Sequence, residues 1–80
     1  MHQIKIMVET YSGYKADERP MRFYIDGTAH DIAAIADRWY GPGYSYFKVS
    51  DTEGSLYILR HDESRDIWEI SFFKKVDVEK

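Results

Sequence analysis

The chain contains no cysteine, so it forms neither a disulfide nor a thiolate metal site and has no cysteine nucleophile. It also lacks a long apolar run, since no segment approaches the roughly 18 consecutive apolar residues of a membrane-spanning helix. The start, Met1-His2-Gln3-Ile4-Lys5-Ile6, alternates polar and apolar residues where a secretory leader needs a basic patch and an unbroken apolar stretch. These absences predict a cytoplasmic protein that does not engage a membrane. Positive charge is not in excess either. Eleven Lys and Arg stand against 14 Asp and Glu, a net charge of -3, which argues against a general phosphate-binding surface and leaves only a local basic strip. Prolines number two and glycines five, with no repeat, low-complexity tract or linker among them.

What is present is enough for one core. Eighty residues, 44% hydrophobic and 31% charged, have the composition of a single globular domain spanning residues 1–80. A domain this size buries only roughly 60% of its unfolded surface, so any function sits on the outside or in a shallow groove.

The organising signal is period-two alternation. Ile4, Ile6 and Val8 alternate with Lys5, Met7 and Glu9, and after a polar stretch from Gly13 to Arg19, Met21, Phe23 and Ile25 alternate with Arg22 and Tyr24. Asp26-Gly27 then supplies the residue pair best suited to a tight hairpin turn. Residues 29–40 carry two signals. Ile32, Ile35, Ala36 and Trp39 lie at helical spacing around Ala33-Ala34, whereas the preceding Asp-Gly turn asks for a returning strand. A bulge near Ala33-Ala34 would bring Ile32 and Ile35 to one face. The expectation is a bent strand, with a short helix within 29–40 as the alternative.

Gly41-Pro42-Gly43 breaks the chain, Phe47 and Val49 alternate with Tyr46 and Lys48, and Asp51-Thr52-Glu53-Gly54 forms the next turn. Leu56-Tyr57-Ile58-Leu59-Arg60 is apolar on both faces, His61 to Asp66 is a polar loop, and Trp68, Ile70 and Phe72 mark the last strand. Residues 74–80 are expected to fray. The predicted fold class is mainly β: a small antiparallel six-stranded barrel, or a strongly curved sheet, of SH3-like size, because closure hides strand edges. The predicted core is Ile4, Ile6, Phe23, Ile25, Ile32, Ile35, Trp39, Phe47, Val49, Leu56, Ile58, Trp68 and Ile70.

Arg38-Trp39, Tyr46-Phe47-Lys48-Val49, Gly54, the run from Leu56 to Asp62 and Trp68-Glu69-Ile70 together resemble a family of small uncharacterised bacterial β domains. The resemblance covers about the last two-thirds of the chain. Some members of that family occur beside or within proteins related to lesion-bypass DNA polymerases. The resemblance implies the β fold and turns attention toward nucleic-acid processing; it assigns no catalytic residue.

The densest chemical feature is the interleaving of aromatic and basic residues at Arg38, Tyr40, Tyr44, Tyr46, Lys48, Tyr57 and Arg60. Tyrosine, tryptophan and arginine are typical anchors of protein interfaces, and the Gly41-Pro42-Gly43 loop could present Tyr40 and Tyr44 on a shaped tip. The leading expectation is a non-catalytic protein-interaction module, with homodimerisation through terminal edge strands carrying Ile67 and Phe73 as one form of it. The same residue types suit single-stranded nucleic acid, although Asp37, Asp51 and Glu53 share the region. Tyrosine also favours strands for packing alone.

His30, His61 and Asp62 are the weakest candidates, for a metal or small-ligand site. The two histidine clusters are far apart and no third ligand is evident, so the expectation is no metal and no cofactor. Ser12, Ser45, Ser50, Ser55, Ser64 and Ser71 show no nucleophile-elbow pattern, and Pro42 denies the Gly41-Pro42-Gly43 loop the backbone N–H groups a phosphate cradle needs. Catalysis is not expected.

Overall fold

Alternation becomes a ring of antiparallel strands. The computed structural model describes residues 4–11 and 19–75, and among them run β1 (Ile4–Tyr11), β2 (Arg19–Ile25), β3 (Thr28–Gly41), β4 (Tyr44–Asp51), β5 (Leu56–Asp62) and β6 (Ile67–Lys74). Each strand pairs with the next in sequence, and β1 pairs with β6 to close the barrel. Residues 29–40 are strand throughout, so the helical spacing there loses to the turn that precedes it. β6 includes Lys74, the first residue of the expected tail; residues 76–80, like His2 and Ser12, lie outside the described residues. No helix among the described residues is long and apolar enough to cross a membrane.

Two strands turn corners. β1 pairs with β6 at residues 4–6 and with β2 at 7–11, while β3 pairs with β2 at 28–31 and with β4 at 32–41. The β3 corner is built from two register shifts, one between Ile32 and Ala34 and one between Ile35 and Asp37. Each inserts an extra residue that bends the strand, and alanine at 33 and 36 keeps the bends free of bulk. The hairpin at Asp26-Gly27 has both residues at positive φ, 51° and 81°, the conformation expected of a two-residue turn.

The core holds Ile6, Phe23, Phe47, Val49, Tyr57, Leu59, Trp68 and Ile70, with Val8, Ile25, Ile32 and Ile35 packed against it. Three expectations need correction. Ile4 is 53% exposed at the barrel rim. On β5 the faces are exchanged, with Tyr57 and Leu59 inside and Leu56 and Ile58 only half-buried. A loop of residues 51–54 would set Leu56 opposite Val49. Instead the Asp51 N–H bonds the Ser55 carbonyl, Ser55 joins the loop, and Tyr57 faces Val49; one residue of slip reverses every side chain. Trp39 is 38% exposed for the same kind of reason. A single bulge on β3 would leave Trp39 inward, and the second bulge, at Ala36, turns it out.

Candidate binding surface

Antiparallel register places directly opposed residues on the same side of a sheet, and this fixes the outer face of β3 to β6. One row reads Trp39, Tyr46, Arg60, Glu69 and the next Asp37, Lys48, Ile58, Phe72. The Trp39 and Tyr46 rings are parallel to within 3° at a centroid separation of 5.4 Å, an offset stack. Tyr44 tilts against Tyr46 at 6.3 Å. The Arg60 guanidinium sits 4.4 Å above the Tyr44 ring and donates to Glu69, with Nε 3.1 Å from Oε1. That bond, above all, holds Arg60 in its charged form.

Local sequence explains why these rings stand as they do. Gly41 and Tyr44 are paired across Pro42-Gly43, with Gly43 at φ 80°, as a turn with proline then glycine at its centre requires. A Cβ on Gly41 would meet Tyr46 Cε1 at 3.3 Å. The ring therefore leans over the base of the turn because position 41 has no side chain. Asp62 accepts bonds from the backbone N–H groups of Ser64 and Arg65 and from the Ser64 hydroxyl and Arg65 Nε. It caps the β5–β6 loop, and the Arg65 guanidinium, its strongest partner, holds its carboxyl below the ordinary carboxylate value.

The structure brings together Tyr44, Tyr46, Lys48 and Arg60 on this face. Arg38 and Tyr40 belong to the inward row of β3, opposite Phe47 and Ser45. At the barrel end, the Arg38 guanidinium lies 5.1 Å from the Phe47 ring and 5.7 Å from that of Tyr40, which is 65% exposed. Tyr57 does not belong to the surface: its ring is buried edge-on to Phe23 at 4.8 Å. Sequence reasoning missed Trp39 and Phe72 as surface residues, and Glu69 as the partner of Arg60. The Arg60–Glu69 pair was within reach of a register count from the β5–β6 turn, since Asp62 opposite Ile67 sets Arg60 opposite Glu69.

The histidines have other neighbours. His30 stacks on Phe23 at 5.2 Å, with Nδ1 3.8 Å from the Asp51 carboxylate. His61, at the opposite end of β4, stacks on Trp68 at 4.3 Å and hydrogen-bonds Asp66 at 2.8 Å. Among the described residues no group of three His, Asp or Glu converges to hold an ion. The hydroxyls of Ser45 and Ser64 donate to the carboxylates of Glu63 and Asp62. On the far side of the barrel, Arg22 bridges Asp31 (2.6 Å) and Glu9 (2.9 Å), and Tyr24 also donates to Glu9.

Charges on the aromatic face are of both signs, with Lys48, Arg60 and Arg65 interspersed among Asp37, Asp62 and Glu69. Compared with protein-family models, curated proteins and solved structures, the chain matches none.

Proposed function

We propose that the domain is a non-catalytic protein-interaction module whose partner docks on the outer face of β3, β4 and β5, centred on Tyr46. The observation that carries this reading is the fixed aromatic cluster of Trp39, Tyr46 and Tyr44 with Arg60 over it. Rings already held against one another lose little conformational freedom on binding, and aromatic residues with arginine are the usual energetic anchors of an interface. The mixed charge supports a protein partner over nucleic acid, whose counterion release needs a concentrated positive face.

The test is affinity capture from a lysate of the source cells with wild-type, Tyr46→Ala and Lys48→Glu baits of equal melting temperature. Proteins held by the wild type and lost by both variants support the face. An unchanged captured set removes it, and capture abolished by nuclease and by moderate salt would assign the surface to nucleic acid instead.

A further inference from the structure

Asp62, Glu63 and Asp66 put three carboxylates into one short loop, and each accepts bonds in a different direction. Asp62 caps the loop itself, and Asp66 holds His61 at the end of β5. Of the three, Glu63 alone crosses to a neighbouring strand, where its carboxylate accepts the hydroxyl of Ser45 on β4.

Register explains this reach. Ser45 is opposed to His61, so residue 63, two positions further along, lies on the same side of the sheet and diagonally across from Ser45. That is the inner side, where His61 stacks on the buried Trp68. The Glu63 N–H also donates to the Gly43 carbonyl at 3.1 Å. One loop residue therefore bonds both chain neighbours of Tyr44, Gly43 through its backbone and Ser45 through its carboxylate. Tyr44 itself turns to the outer side, where the Arg60 guanidinium lies 4.4 Å from the centre of its ring. Ser45 is buried and Glu63 exposed. The bond thus gives a buried hydroxyl the acceptor it needs and draws that acceptor from a carboxylate that remains solvated.

We infer that Glu63 is the positioning residue of the aromatic face: it grips Ser45 from the inner side, fixes the start of β4 and so holds the Tyr44 ring beneath Arg60 on the outer side. Tyr44 is the first residue of β4, and the ends of elements open most readily. A grip from the opposite side secures this end and leaves the face itself uncovered. It also spares a partner the conformational cost of ordering the ring. The use of that ring as a contact rests on the function proposed above; its position does not.

Protons above a ring face are shielded by the circulating π electrons, so the NMR signals of the Arg60 side chain report where the Tyr44 ring lies. Tyr44→Leu gives their position without the ring. Glu63→Ala and Ser45→Ala should each move the Arg60 signals most of the way to that position. Glu63→Gln, whose amide oxygen accepts the same hydroxyl, should leave them in place. Melting temperatures should follow a different order. Glu63→Ala leaves a buried hydroxyl without its acceptor and should melt lower than Ser45→Ala, which only returns an exposed carboxylate to water. Arg60 signals that stay in place in both alanine variants, read well below their melting temperatures, would overturn the positioning role. So would a displacement as large in Glu63→Gln as in Glu63→Ala, or displacements that merely track stability. Affinity capture with the same variants tests the other reading: Glu63→Ala should retain less of what the wild type holds than Glu63→Gln does. If the Arg60 signals move and retention does not, the positioning role stands and Tyr44 is no part of the partner surface.

Discussion

The Tyr57 hydroxyl donates to the Asp51 carboxylate across 2.8 Å, at the end of the barrel interior. The other carboxylate oxygen accepts the backbone N–H groups of Glu53 and Ser55, at 2.9 and 3.0 Å. One side chain thus ties the β4–β5 loop to the core.

Removing that carboxylate leaves three donors without their acceptor, the Ser55 N–H and Tyr57 hydroxyl in buried places and the Glu53 N–H in a part-buried one. Each such group costs about 1–3 kcal/mol, so Asp51→Ala should lose about 3 kcal/mol or more in urea denaturation. Tyr57→Phe keeps the ring against Phe23 and removes one bond to a charged acceptor, at a cost of about 1.5–3 kcal/mol. Equal stability of wild type and Asp51→Ala would show that the loop does not depend on this residue.

The same contacts set a pH dependence. Burial, the largest single influence, raises the Asp51 carboxyl. The Tyr57 hydroxyl, the Ser55 and Glu53 N–H groups and nearby His30 outweigh it, leaving the carboxyl below its ordinary 3.8. Because the folded value is depressed, the associated stability is complete above the unfolded value and is lost as pH falls through the folded one. Stability measured from pH 6 downward should decline below about pH 4, and Asp51→Asn should flatten that decline. A parallel fall in the two proteins would exclude Asp51 as its source.

The exchanged faces of β5 can be read from two truncations. Leu59 is fully buried, and Leu59→Ala should cost about 2–5 kcal/mol. Ile58 is half-buried on the outer face, so Ile58→Ala should cost less than half as much. The reverse order would place the inward row at Leu56 and Ile58.

Two glycines should respond differently to alanine. At Gly27, φ is 81° and no atom lies within 4 Å of a built Cβ, so Gly27→Ala strains only the backbone, by about 1 kcal/mol. It should leave tryptophan emission unchanged. Gly41→Ala would press on the Tyr46 ring and so disturb its stack with Trp39. A shift in Trp39 emission like that of Tyr46→Ala is expected, and its absence would mean that the ring is not held by the turn.

Fold class was legible because alternation and turn chemistry agree at nearly every element, and Asp26-Gly27 outweighed the helical spacing of Ile32, Ile35, Ala36 and Trp39. The first β3 bulge was legible as well, since Ile32 and Ile35 can share a face only if an extra residue intervenes. What was not legible was parity. Ala36 adds a second bulge that no apolar pattern marks, because alanine sits equally well on either side. Ser55 extends a turn that Gly54 already seemed to complete. Each unseen residue reverses the strand beyond it, which is why alternation alone points Trp39 into the core and Tyr57 to the surface. Tyr44, Tyr46 and Lys48 share a face because β4 alternates cleanly, whereas Arg60 joins them through the same Ser55 insertion that takes Tyr57 inward.

Every seam of the barrel but one joins strands adjacent in sequence. The exception is β1 with β6, held among the described residues by three rungs: Ile4 with Ile70, Lys5 with Glu69, and Ile6 with Trp68. Local hairpins close short loops, whereas this clasp joins the two ends of the described chain and bears the largest closure entropy for the fewest bonds. The cylinder should unlatch there first, becoming a curved ribbon with its hairpins still intact.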